Sequence, residues 1–199
     1  MPSRLAVLAS GRGSNLQAII DHFHDLGREA TARIVLVASN RADAPALLRA
    51  ATASIDIASF NAADEGEELL SLLRKFRIDL VILAGYLKRI PPSVIAAFSG
   101  RILNIHPALL PAFGGEGMYG ARVHEAVLAA GATQTGVTVH IVDDDYDQGP
   151  IVAQWIVPVL AGDDADSLAA RVLKVEHIVF PRAVEMVAAL HQHGFVLSS

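Results

Sequence analysis

Apolar residues in this chain follow two alternating rhythms. Short, mostly apolar runs occur at residues 4–9, 34–38, 55–60, 78–84 and 101–106. Runs of that length bounded by turn residues predict strands, and their near-continuous hydrophobicity predicts burial on both faces. Between them the apolar positions shift to helical spacing. Leu16, Ile19, Ile20 and Phe23 form one stripe, and Leu69, Leu70, Leu72 and Leu73 form another within residues 64–76. Shorter helices are expected from Pro45 to residue 51 and over 92–98. Strands alternating with helices predict a parallel sheet with right-handed crossovers.

The second half has a different rhythm. In residues 135–142, Val137, Val139 and Ile141 alternate with Thr138, His140 and Val142, which predicts a strand with one partly polar face. An acidic turn at 143–147 and Gln148-Gly149-Pro150 separate it from a strand at 151–159, close enough to pair antiparallel. A helix is expected over 123–130, stopping at Gly131. A long final helix is expected over about 167–191, with Gly162 and residues 163–166 at its start. The expected fold is α/β and three-layered. A mostly parallel twisted sheet forms a Rossmann-like N-terminal half, and antiparallel strands with a long C-terminal helix form the other half. No repeat or linker divides the chain, so one domain is expected over 1–199, with halves at about 1–100 and 101–199.

Composition supports a large core: 52% of the 199 residues are hydrophobic and 19% charged. With no cysteine, disulfides, zinc–thiolate sites and thiol nucleophiles are excluded. That composition is compatible with a cytoplasmic location, which is the expectation. The apolar run at residues 5–9 is too short for a signal-peptide core or a membrane span. A net charge of −5 gives no overall attraction to nucleic acid or anionic lipid, so neither is an expected partner.

Ligands of open α/β sheets bind beyond the C-terminal ends of the strands, and three polar stretches fall there. Residues 10–15, Ser-Gly-Arg-Gly-Ser-Asn, join a strand to a helix. Glycines that let the backbone approach an anion, followed by free helix N–H groups, suit a phosphate. Ser14 or Asn15 would cap that helix or donate to the anion; a tight turn needing glycine is the competing explanation. After the fourth strand, Tyr86, Leu87 and Ile90 can line an apolar slot with Lys88 and Arg89 at its mouth. At the end of the fifth, Asn104 and His106 are two apart and share a face. An amide donor beside an imidazole can stabilise an oxyanion and move a proton, although such a pair can equally cap a loop. Acyl transfer to an amine needs no serine or cysteine nucleophile, but it does need a group that tunes the histidine. Asp143, Asp144, Asp145 and Asp147 are all candidates on these grounds.

Four motifs occur in order: Ser-Gly-Arg-Gly-Ser-Asn-Leu at 10–16, Leu-Ala-Gly-Tyr-Leu at 83–87, Asn-Ile-His-Pro-Ala-Leu-Leu-Pro at 104–111 and Asp-Gln-Gly-Pro at 147–150. Together they closely resemble the phosphoribosylglycinamide formyltransferase family of folate-dependent enzymes, from about residue 3 to the final helix. Asn-x-His-Pro is shared by the wider formyltransferase and hydrolase superfamily. The phosphate loop and short length are more specific, since related transferases and hydrolases carry an added domain for which 199 residues leave no room.

The resemblance implies formyl transfer from 10-formyltetrahydrofolate, as co-substrate, to the amine of glycinamide ribonucleotide in purine biosynthesis. It implies Asn104, His106 and Asp147 as the catalytic trio. Gly11, Arg12, Gly13, Ser14 and Asn15 would hold the ribose phosphate, with Glu176 on the sugar-glycinamide part. Leu87, Lys88, Arg89, Ile90, Asn104, Val142, Asp143 and Asp147 would line the folate site. No metal is implied, and a homodimer is compatible with it. His140, on the strand entering the acidic turn, is either a satisfied strand histidine or an auxiliary site residue. The stretch 113–120, with four glycines, is longer than the family's short form and is expected to be a flexible surface loop that can serve as a lid. No basic residue between Phe60 and Gly66 matches the one some relatives direct at folate, which leaves Lys88 or Arg89 for the glutamate tail. A formyl-folate hydrolase and a non-catalytic ligand-binding module are the alternatives.

Overall fold

The computed structural model describes residues 1–195. One seven-stranded sheet has the order β3-β2-β1-β4-β5-β6-β7. The strands β1 (Ser3–Leu8), β2 (Ala32–Ser39), β3 (Asp56–Ser59), β4 (Leu80–Leu83) and β5 (Ile102–His106) run parallel. Strands β6 (Gln134–Ile141) and β7 (Ile151–Pro158) add antiparallel to that edge. The helices are α1 (Ser14–Leu26), α2 (Pro45–Thr52), α3 (Glu67–Lys75), α4 (Pro92–Ala97), α5 (Ala121–Ala129) and α6 (Ala165–Gln192).

Strand alternation sorts the apolar residues into two cores, which makes the fold three-layered. Leu5, Val7, Ile82, Leu103, Ile105, Val137 and Val139 pack with Leu16 and Ile19 of α1 and with Val172, Phe180 and Val184 of α6. Ala6, Leu8, Val81, Leu83 and Ile102 pack on the other face with Leu69 and Leu73 of α3 and Val94 of α4. Because Leu103, Ile105, Val137 and Val139 belong to the first core, the residues between them face the other way. That alternation places Asn104, His106, Thr138 and His140 on one face, at the end of the parallel strands.

Local chemistry sets the helix starts. Asp164 and Ser167 form a reciprocal capping box at the head of α6: Ser167 N–H donates to Asp164 Oδ1 (2.8 Å), and Asp164 N–H donates to Ser167 Oγ (3.0 Å). Helix α3 begins at Glu67 rather than residue 64, because the Asp64 carboxylate accepts from the N–H groups of Gly66 and Glu68 and stays outside the helix. Helix α1 starts at Ser14, earlier than the apolar stripe implies. Its cap is Gly13 in the left-handed region (φ 73°), and no side chain caps it, so neither Ser14 nor Asn15 plays the capping part expected of it.

Candidate active site

A cleft of about 600 Å³ opens at the C-terminal end of the parallel strands. It runs from Arg12, Ser14 and Asn15 at the head of α1 to Leu87–Ile90 after β4, across Asn104 and His106, to the turn 142–147; Glu176 of α6 borders it. Thus one concavity contains nearly every site residue predicted from sequence. Gly11 and Gly13 are the exceptions.

The centre follows from the pairing of β5 with β6. Asn104 lies opposite His140, and His106 lies opposite Thr138. Opposed residues of an antiparallel pair project from the same face. Asn104 Nδ2 is 3.1 Å from His140 Nε2, and His140 Nδ1 is 2.9 Å from the Ile141 carbonyl. A carbonyl only accepts, so Nδ1 carries a proton, and in neutral His140 Nε2 is left to accept from the Asn104 amide. His106 is fixed in the same way at its other nitrogen: Nε2 donates to the Phe113 carbonyl at 2.8 Å. Its Nδ1 is then the site where a proton is gained or lost.

Asp147 stands behind both histidines. Its Oδ2 is 3.5 Å from His106 Nδ1 and 3.0 Å from the donating N–H of Gly115, and its Oδ1 is 3.4 Å from His140 Nε2. The 3.5 Å and 3.4 Å separations from the two histidines are longer than a tight hydrogen bond, whereas the Gly115 contact is an ordinary one. His140 Nε2 cannot accept from Asn104 and donate to Asp147 at once, and at 3.1 Å against 3.4 Å the geometry favours the bond to Asn104. Burial lowers the His106 pKa, against the opposing pull of Asp147 and the Phe113 carbonyl. Burial works against the Asp147 carboxylate, but His140, the Gly115 N–H and His106 outweigh it and hold its pKa below the usual range. Asp147 has φ 56°, which aims the carboxylate inward from a left-handed turn position.

The glycine-rich stretch 113–120 is partly exposed, as expected of a surface loop, and it also borders the cleft. It is built into the site: the Phe113 carbonyl orients His106 and the Gly115 N–H holds Asp147. A Cβ on Gly114 would lie 2.5 Å from Leu110 Cδ2 and 3.2 Å from Asp147 Cβ, so a side chain there would have to displace the leucine tip and press on Asp147. His124, on the helix that follows, borders the cleft. Its Nδ1 is buried without a partner, and burial, with His106 nearby, lowers its pKa.

At the other end, Gly11 and Gly13 shape the phosphate loop from behind. The Gly11 carbonyl accepts from Ala46 N–H at 3.2 Å, and a Cβ on Gly13 would lie 2.8 Å from Ala46 Cβ. Arg49 of α2 reaches back to the loop, with Nε donating to the Arg12 carbonyl (2.8 Å) and Nη1 to Gln17 Oε1 (3.3 Å). Ser10 Oγ accepts from Leu87 N–H (3.1 Å) and donates to Asn40 Oδ1 (2.7 Å), which ties this loop to the one after β4. Asn15 turns its Nδ2 to Glu176 Oε2 at 2.5 Å. Burial raises the Glu176 pKa, only partly offset by Asn15. Arg49 and the Phe113 carbonyl were not legible in the sequence, because one acts across 37 residues and the other through a backbone atom.

No cluster of three or more metal-binding side chains occurs among the described residues, and no helix among them is long and apolar enough to cross a membrane.

A profile of the formyl transferase family matches residues 3–184. The chain belongs to that family. It is 44% identical to the chloroplastic phosphoribosylglycinamide formyltransferase of Vigna unguiculata over 97% of its own length. It spans 62% of that relative, less than two thirds. The crystal structure of phosphoribosylglycinamide formyltransferase from Brucella melitensis superposes with a TM-score of 0.85 at 40% identity, covering 100% of both chains. A formyltetrahydrofolate deformylase from Pseudomonas syringae has a similar fold, with a TM-score of 0.82, 25% identity, and 94% of this chain and 62% of that one covered.

Proposed function

We propose that this protein transfers the formyl group of 10-formyltetrahydrofolate to the primary amine of glycinamide ribonucleotide. The observation that carries the reading is one cleft with an amide, histidine and carboxylate at its centre and a helix N-terminus with Glu176 at one end. The ribonucleotide phosphate lies against the free N–H groups of residues 14–16, and Glu176 and Asn15 meet its sugar and glycinamide part. Folate occupies the opposite arm, between Leu87–Ile90 and Val142–Asp143. Arg89 is engaged by the backbone of the acidic turn, which leaves Lys88 for the carboxylates of the glutamate tail.

The amine attacks the formyl carbon. The second N–H of Asn104 Nδ2, not used by His140, donates to the developing oxyanion. His106 exchanges protons at Nδ1, the nitrogen facing Asp147, and relays one from the attacking amine to the departing folate nitrogen. Positioning of two substrates in one cleft supplies the rest. No nucleophilic side chain takes part.

Consumption of 10-formyltetrahydrofolate, measured with and without glycinamide ribonucleotide, tests this reading. Loss that depends on the amine is expected. Loss at the same rate without it assigns the chain to hydrolysis, the reaction class named for the deformylase of similar fold.

A further inference from the structure

The loop after β4 and the acidic turn after β6 form facing walls of the cleft, and Arg89 joins them. Its Nη2 donates to the Asp144 carbonyl at 2.6 Å, and its guanidinium carbon lies 5.5 Å from the centroid of the Tyr146 ring. Both contacts fall within residues 143–147. Among the described residues, no other hydrogen bond joins 85–90 to that turn. The turn has little to hold it from within. Its local bond runs from Asp145 N–H to Asp143 Oδ1 at 3.1 Å, and Asp143, Asp144 and Asp145 place three like charges in succession. A planar cation that bonds the backbone and stacks on the ring offsets that repulsion and fixes the turn from outside. A lysine ammonium lacks both the fork and the flat face.

We propose that Arg89 is a positioning residue, a clasp that holds the acidic turn against the loop after β4. It keeps the folate wall of the cleft formed before substrate arrives. It also steadies the segment that delivers Asp147 to the two histidines. This assignment rests on the formyl-transfer reading for its kinetic part, but not for its structural part.

The test compares Arg89→Met, Arg89→Lys and Tyr146→Leu with the parent protein by amide hydrogen exchange and by steady-state kinetics. Arg89 is on the surface, so the variants are expected to keep the parent melting temperature. In Arg89→Met, exchange at residues 144–146 should accelerate about tenfold, with no change at the phosphate loop. The KM for 10-formyltetrahydrofolate should rise about three- to tenfold while that for glycinamide ribonucleotide stays constant, as expected for a lost pre-organised wall. Tyr146→Leu should move both readouts in the same direction by less. Arg89→Lys should remain loosened, because charge alone does not make the clasp. Unchanged exchange in Arg89→Met overturns the proposal, and full recovery in Arg89→Lys replaces the clasp with simple electrostatic attraction. If exchange accelerates but the parent protein transfers no formyl group, the clasp stands and the proposed substrates fall.

Discussion

Asn104 and His140 face each other across β5 and β6, with Asn104 Nδ2 3.1 Å from His140 Nε2. His140 is itself tied through Nδ1 to the Ile141 carbonyl. The imidazole therefore fixes which way the amide of Asn104 points. Asn104→Ala should lower kcat by about 10²–10³ with little change in KM, as for loss of an oxyanion donor. His140→Ala should cost less, since the amide survives but is free to rotate. In the Asn104→Ala background, removing His140 should add almost nothing, because its partner is gone. Strict additivity in a double-mutant cycle would show that His140 acts independently.

The pH dependence of turnover should report His106. Burial leads the factors that lower its pKa below the ordinary 6.5, so the ring is neutral near neutrality. If Nδ1 must accept a proton, kcat/KM should fall on the acid side with an apparent pKa below 6.5. Asp147 raises the His106 pKa, so Asp147→Asn should push that limb to still lower pH while reducing kcat. A limb that moves upward in Asp147→Asn contradicts the assignment. The same shift bears on stability. Between the folded pKa and 6.5 the unfolded chain binds more protons than the folded one, so this contribution is lost as pH falls through that window.

Much of this architecture is legible in the apolar pattern. The side-chain period of two on β5 puts Asn104 and His106 together, and the alternation of β6 assigns Thr138 and His140 to a common polar face. Period and composition do not report where a loop returns in space. The acidic turn offered four aspartates to a reading of the residues alone, and only family resemblance selected Asp147. The structure adds what brings it inward, a left-handed backbone and the Gly115 N–H. Glycine content drew attention to both 10–15 and 113–120, but composition does not separate a mobile loop from a backbone packed too closely for a side chain. Gly13 is of the second kind. Phe113 contributes through its carbonyl, which any residue carries, so its side chain gave no clue.

Glu176 should leave a separate mark on stability. Its folded pKa is raised above the ordinary 4.5, chiefly by burial. A raised carboxyl pKa means that the folded state holds the proton more tightly. Stability is favoured below 4.5 and is lost as pH rises through the folded value. Glu176→Gln keeps an acceptor for Asn15 Nδ2 but cannot ionise. Its melting temperature relative to the parent should therefore increase as pH rises above that point. Parallel curves across the range would show that the carboxyl is not held in its protonated form.

The phosphate arm needs a subtler probe than its glycines. Gly13→Val would force a side chain onto Ala46 at a φ of +73°, so any loss of binding would be confounded by damage to the fold. Arg49 offers a cleaner one, because its exposed side chain supports the loop through the Arg12 carbonyl without bordering the cleft. In Arg49→Met the loop loses a charge-assisted hydrogen bond. Discounted for solvent exposure, that bond is worth about 1 kcal/mol, or about fivefold in affinity. The KM for glycinamide ribonucleotide should rise by that factor, with kcat and the folate KM nearly constant. Arg49→Lys should recover part of it, since an ammonium can still donate to the carbonyl. A change in the folate KM instead would mean that α2 supports the whole cleft rather than its phosphate end.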